Sequence, residues 1–178
     1  MEMWFSEFHT PDVKHSIRVN RQLYSRQSDY QRIDIFETPE FGRVLTLDGN
    51  VMLTERDEFI YDEMITHVPM AVHKEARDIL VIGAGDGGVV RELTRYDRVR
   101  HIDLVEMDPM VVEACRAYLP GNACRLDDRR VHLHYENALK FIRRCENNMT
   151  LSSWILPILL VLRKACLPEN FMETVIMR

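Results

Sequence analysis

One stretch constrains this chain more than any other. Ile79-Leu80-Val81-Ile82, an apolar run with strand character, opens into Gly83-Ala84-Gly85-Asp86-Gly87-Gly88, and the next residues have the pattern of a helix. A second apolar run closes on Glu106, twenty residues after Asp86. Strand, glycine-rich turn, helix, then a strand ending in an acid is the opening of an α/β unit with parallel strands. The glycines let the backbone turn tightly and approach a ligand where a Cβ would clash. An acid at the end of the second strand can accept both hydrogen bonds of a ribose diol.

The strand–helix alternation continues through RHIDLVEMD, PMVVEACRAYL and RRVHLHYENA, and ALKFIRRCE opens a further helix. Parallel strands are expected near 79–83, 102–106 and 130–135. The region before residue 55 has a different period. SIRVNRQLYSRQS, QRIDIFETPEF and GRVLTLDGNVMLTERD alternate apolar and polar residues, as half-buried antiparallel strands do. Asp48-Gly49-Asn50 is a hairpin turn signal, and Glu40-Phe41-Gly42 supplies another turn. Between the two regions, Phe59, Ile60, Met64, Ile65 and Val68 recur at helical spacing, with Pro69 near the stop. The expected organisation is therefore α/β: a small antiparallel sheet over 1–54, a Rossmann-like parallel sheet over 55–147, and a tail over 148–178 of different character.

Charge and composition narrow the function. The chain has 178 residues, 23 Lys+Arg against 28 Asp+Glu and a pI near 5.8, which argues against nucleic-acid binding through a basic face. The longest apolar run, Trp154–Leu162, has nine residues, too few for a bilayer that needs about 20. No secretory signal opens the chain, so the formal glycosylation acceptor Asn148-Met149-Thr150 carries no weight. Cysteines at 115, 124, 145 and 166 form no C-x-x-C and suit no zinc site, so reduced thiols and a cytoplasmic location are expected. His132 and His134 share a strand face but have no evident third ligand, so no metal site is expected. Met52, Met64, Met70, Met107 and Met110 read as core filler.

The glycine-rich loop carries Asp86, whose charge would repel a pyrophosphate. An adenosyl ligand without phosphates and with a positive charge, such as a sulfonium, suits it better. Residues 55–63 hold five acids in nine positions, either a solvated helix face or a receiver for a polycation.

With these residues in view, residues 1–147 resemble the polyamine aminopropyltransferases, and most closely the spermidine synthases. The matching stretches are FGRVLTLDGNVMLTERDEFIYDEMITHVP, ILVIGAGDGGVVREL, DLVEMDPMVVEACRAYLP and LDDRRVHLHYENALKF, in family order and spacing. The resemblance implies transfer of an aminopropyl group from decarboxylated S-adenosylmethionine to putrescine, giving spermidine and methylthioadenosine. It implies no cofactor beyond that co-substrate, no nucleic-acid or membrane partner, and a homo-oligomer. Residue by residue, it implies that Gln31, Gly83, Gly85, Asp86, Gly87, Glu106, Asn137 and Ala138 bind the donor. Glu106 would hold the ribose and Asn137-Ala138 would lie on the adenine side. Tyr61, Asp62 and Asp86 would bind the amine. Asp62 stands where the family has His or Gln, and Asn137 where it has Asp.

The family continues with an aspartate-rich strand end, Y-D-x-I-x-x-D-S-T-D-P-x-G-P, whose first Asp is the general base. No such segment follows residue 147, and no Asp follows Asp128. Read one base out of register, Met149-Thr150 forces Asp and Trp154-Ile155 forces a second Asp five codons on, the family spacing. The expectation is a frameshifted or truncated aminopropyltransferase without its catalytic base, and with little activity. Two rivals stand beside it. An S-adenosylmethionine-dependent methyltransferase shares the glycine-rich loop and the acid of the second strand, but not the N-terminal strands or ERDEFIYDEM. A non-catalytic remnant would turn over neither donor.

Overall fold

A computed structural model describes residues 2–146 of the chain. The expectations placed on 148–178, including the run Trp154–Leu162, lie outside the described residues.

The first part is antiparallel throughout, but it forms two sheets rather than one. Strands β1 (Met3–Thr10) and β2 (Val13–Val19) pair as a hairpin. Strands β3 (Arg21–Gln27), β4 (Arg32–Thr38), β5 (Gly42–Leu47) and β6 (Asn50–Thr54) form a meander in that order. Strand β1 was not anticipated, because charged and polar residues interrupt its apolar ones. The stretch expected as one strand, SIRVNRQLYSRQS, divides at Asn20, whose amide donates to the Glu37 carbonyl. The β5–β6 hairpin turns at Asp48 and Gly49, with φ of 50° and 78°. Two successive positive φ values match the right-handed twist of the flanking strands.

Helix α1 (Glu58–Val72) follows and passes through Pro69, ending three residues beyond the expected stop. Its orientation overturns one expectation. Ile60, Met64, Val68 and Val72, spaced by four, are exposed, while Asp62, Thr66 and Met70 are buried. Met64 is thus a surface residue, 61% exposed, and not core filler. The face bearing Asp62 packs on the next helix, where Gly88 has no side chain to obstruct it.

The parallel sheet consists of β7 (Asp78–Ile82), β8 (His101–Glu106) and β9 (Val131–Tyr135), ordered β7-β8-β9. Helices α2 (Gly88–Leu93) and α3 (Pro109–Tyr118) connect them, with a short α4 (Pro120–Ala123) after α3. Alternation along the strands gives the sheet two buried faces. Ile79, Val81, Ile102 and Leu104 join the main core with Val89, Val90, Leu93, Val111 and Val112. Leu80 and Val105 point the other way and are covered by Phe141 and Ile142 of α5 (Ala138–Glu146). The main core also contains Ile33, Ile35 and Leu45 of the meander, so both regions share one apolar interior. Among the described residues no helix is long and apolar enough to cross a membrane.

Candidate ligand-binding cavity

The carboxyl ends of β7, β8 and β9 face the meander across a cavity of about 200 Å³. Leu45, Leu47 and Met52 of the meander form one wall, and Ile82, Val105, Val111 and Leu139 contribute the opposite apolar surface. The polar groups are Gln31, Asp86, Glu106, Glu136 and Asn137. Ligands of open α/β sheets bind at this position, outside the carboxyl ends of the strands.

Backbone geometry brings the glycine-rich turn up to the second-strand acid. The Gly85 amide donates to Glu106 Oε2 at 3.2 Å, and the Asp108 amide donates to Glu106 Oε1 at 3.0 Å. A Cβ on Gly85 would lie 2.9 Å from Glu106 Cγ and Oε2, so only glycine allows this approach. Burial raises the Glu106 carboxyl above its ordinary value, against the lowering effect of the amides of Asp108, Met107 and Gly85. Each Glu106 oxygen retains acceptor capacity for a ligand hydroxyl.

Asp86 turns one oxygen to the Gly88 amide at 2.9 Å, satisfying a donor at the start of α2. Burial raises its carboxyl, and the nearby Glu58 charge adds to this. Gly87, with φ of 94°, makes the turn into α2, but it packs on Asn122 and Ala123 rather than lining the cavity. Asn137 Oδ1 accepts from the amides of Leu139 at 3.0 Å and Lys140 at 3.3 Å, so its acceptor serves the N-terminus of α5. Its side-chain NH₂ is the group left for a ligand.

Of the expected site residues, Gln31, Gly83, Gly85, Asp86, Glu106, Asn137 and Ala138 line this one cavity. Tyr61 and Asp62 do not line it. The Tyr61 side chain is about half exposed, and its hydroxyl is pushed up to about 12 by burial and by the charges of Asp62 and Asp86. Asp62 is buried beneath it, and its carboxyl is pushed up to about 9 by burial, by a hydrogen bond to Glu58 and by the charge of Asp86. Arg91 explains this arrangement. Its guanidinium donates twice to Glu58, at 2.9 Å each, and once to Glu92 at 2.9 Å. Burial disfavours the Glu58 charge, but Arg91 and Asp62 outweigh it and hold Glu58 below its ordinary value. This environment favours the protonated form of Asp62, with Glu58 as its hydrogen-bond partner. The acid run is thus largely structural: Glu58 pairs with Arg91, Asp57 accepts from Thr54 Oγ1, and Glu55 accepts from the Arg43 amide.

Asp108 was missed in the sequence. It is 1% exposed and contacts both Ser28 and Gln31. The D-P pair at 108–109 signals a helix start but says nothing about a partner 77 residues away. Among the described residues no group of three or more His, Cys, Asp or Glu is arranged to hold a metal ion. His134 Nε2 instead lies 2.7 Å from Asp103 Oδ1.

Comparison with known proteins matches the same two regions. Residues 58–156 match the family model described as the spermine/spermidine synthase domain. Residues 3–55 match the spermidine synthase tetramerisation domain. A polyamine aminopropyltransferase of Lachnoclostridium phytofermentans is 59% identical over 143 residues, 80% of this chain and 50% of the relative. One from Alkaliphilus oremlandii is 58% identical over 151 residues, 85% of this chain and 53% of the relative. A crystal structure of a spermidine synthase with the transition-state analogue AdoDATO superposes with a TM-score of 0.78 at 45% identity. It covers 80% of this chain and 50% of that one. The spermidine synthase of Thermotoga maritima gives the same score and identity, over 49% of its length. The chain spans about half the length of the curated relatives it matches.

Proposed function

The chain belongs to the spermine/spermidine synthase family, and we propose that its cavity is the nucleoside half of an aminopropyl-transfer site for decarboxylated S-adenosylmethionine, with putrescine as acceptor. The observation that carries this is the convergence of Asp86, Glu106 and Gln31 on one cavity between the parallel sheet and the meander. Glu106 and Gln31 hold the ribose hydroxyls, and Asn137-Ala138 lie at the base. Asp86, which lines the cavity, attracts the cationic end of the donor and the incoming ammonium, and the half-exposed Tyr61 ring stands beside it.

In the reaction the free amine attacks the carbon beside the sulfonium, a C–N bond forms, the C–S bond breaks, and a neutral thioether leaves. The site must align the two reactants, and a base must take one proton from the ammonium. Asp62 is poorly placed as that base, since it is buried against Gly88 and does not line the cavity. No Asp follows Asp128 in this sequence. We therefore propose that the 178-residue chain transfers aminopropyl groups weakly or not at all, because proton transfer alone typically contributes about 10²–10⁴ in rate.

Two family matches that meet between residues 55 and 58 support a division into an assembly unit over 1–54 and a nucleoside-binding unit over 55–147. Exposed Trp4, Phe8 and Val13 on the β1–β2 hairpin support self-association. Free thiols at Cys115 and Cys124 support a cytoplasmic location.

The test compares the 178-residue chain with a form whose reading frame is shifted by one base after codon 147. Methylthioadenosine should bind both, and only the second should form spermidine from putrescine. Spermidine formation by the short chain at a similar rate would refute the inactivity. Methyl transfer from S-adenosylmethionine would refute the aminopropyl reading.

A further inference from the structure

We propose that Asp108 is a positioning residue for this cavity: by holding the side-chain nitrogen of Gln31, it forces Gln31 to present an oxygen to the ligand. The inference rests on the nucleoside reading above and adds a residue to it.

Asp108 stands at the N-cap of α3, where Oδ1 accepts from the Met110 amide at 3.0 Å. Its other oxygen, Oδ2, accepts from Ser28 Oγ at 2.6 Å and from Gln31 Nε2 at 3.0 Å. Ser28 Oγ in turn accepts from the Gln31 amide at 3.0 Å and the Tyr30 amide at 3.1 Å. The β3–β4 turn is thereby fastened to the end of β8. The Asp108 amide also donates to Glu106 Oε1, so one residue sets the positions of both Gln31 and Glu106.

Both Asp108 oxygens act as acceptors, Oδ1 for the Met110 amide and Oδ2 for Ser28 and Gln31. Facing Asp108, the Gln31 amide must therefore turn its NH₂ toward Oδ2 and leave Oε1 for the cavity that Gln31 lines. Glu106 offers acceptors as well. Together they select a ligand that donates through hydroxyl groups, as a ribose diol does, and disfavour the deoxy sugar. Asparagine at 108 would retain an acceptor for α3 but present an NH₂ to Gln31. The Gln31 amide would then reverse and place a donor against the ligand hydroxyl.

The experiment measures binding of methylthioadenosine, adenosine, 2′-deoxyadenosine and 3′-deoxyadenosine to the full chain by calorimetry. Wild type, Asp108→Asn, Ser28→Ala, Gln31→Ala and the Asp108→Asn/Gln31→Ala double variant are compared. Asp108→Asn should weaken methylthioadenosine about tenfold, the worth of one hydrogen bond to a charged or well-ordered group. It should also remove the preference for adenosine over at least one deoxynucleoside, and should add nothing in the Gln31→Ala background. Ser28→Ala, which leaves Asp108 and its helix cap intact, should weaken binding in the same direction. Effects of Asp108→Asn and Gln31→Ala that multiply independently would overturn the proposal. In the ligand-free protein, the Gln31 side-chain NH₂ should be protected from solvent exchange by NMR, and Asp108→Asn should abolish that protection. A wild-type chain that binds no nucleoside would sink the functional reading instead, and an unprotected Gln31 NH₂ would sink the positioning role by itself.

Discussion

At the scale of single residues, Asp62 and Asn137 distinguish this chain from the pattern it resembles. Asp62 is held at about 9 against an ordinary 3.8. The folded protein therefore keeps a proton that the unfolded chain releases above about pH 4, so stability falls as pH rises between those values. The slope approaches about 1.4 kcal/mol per pH unit for one group. Asparagine at 62 keeps a donor toward Glu58 and has no proton to lose. Asp62→Asn should melt several degrees higher than wild type near pH 8 and close to it near pH 4, measured by thermal denaturation across that range. An unchanged pH profile would show that Asp62 is ionised. Asn137 has one side-chain oxygen, and α5 uses it. On the proposed nucleoside reading, aspartate would offer a second acceptor to the base, and its charge suits a helix N-terminus. Asn137→Asp should tighten methylthioadenosine about tenfold by calorimetry. Neither geometry could be read from the sequence. The identity of residue 62 was legible, but its burial against Gly88 and its bond to Glu58 depend on how two helices meet.

At the scale of elements, the junction of α1, the glycine-rich turn and α2 gathers buried charge. Arg91 compensates Glu58 and Glu92, whose side chains are 11% and 4% exposed. Removing one partner of such a buried pair leaves uncompensated charge. Arg91→Met should cost about 3 kcal/mol in urea denaturation at neutral pH. Glu58 and Glu92 both lie below their ordinary value of 4.5. Their contribution is present above about pH 4.5 and is lost as pH falls through the lowered values. The Arg91→Met deficit should therefore shrink in acid. Gly87 is the other fixed point: its φ is 94° and an added Cβ would lie 2.9 Å from the Asn122 carbonyl. Gly87→Ala should cost about 2 kcal/mol or more, since a left-handed conformation and a backbone clash coincide. The turn itself was evident from its glycines. The direction of α1 was not, because Phe59, Ile60, Met64, Ile65 and Val68 mark helical spacing without saying which stripe faces inward.

At the scale of the molecule, the meander and the parallel sheet share one core, and Arg43 reaches from β5 to the Tyr118 carbonyl at the end of α3. They are expected to unfold together. Ile35 is fully buried in the meander, and Ile35→Ala should cost about 2–5 kcal/mol. By hydrogen exchange, protection should fall in parallel in β4 and in β7–β8. Loss confined to β4 would show two independent units.

The sequence by itself determined the division into an antiparallel and a parallel region, the three parallel strands, the hairpin at Asp48-Gly49 and the loop that faces Glu106. Those features follow from local period and from the few residues that tolerate positive φ, and such signals lie within a dozen neighbouring positions. Only the tertiary structure decided that Asp62 is buried against Gly88, that Met64 and its stripe face outward, that Tyr61 stands beside the cavity rather than lining it, and that Asp108 holds Gln31. Each of these depends on charges and donors from distant parts of the chain meeting in a low-dielectric interior. There, a hydrogen bond or an opposing charge decides which conformation and which protonation state is stable.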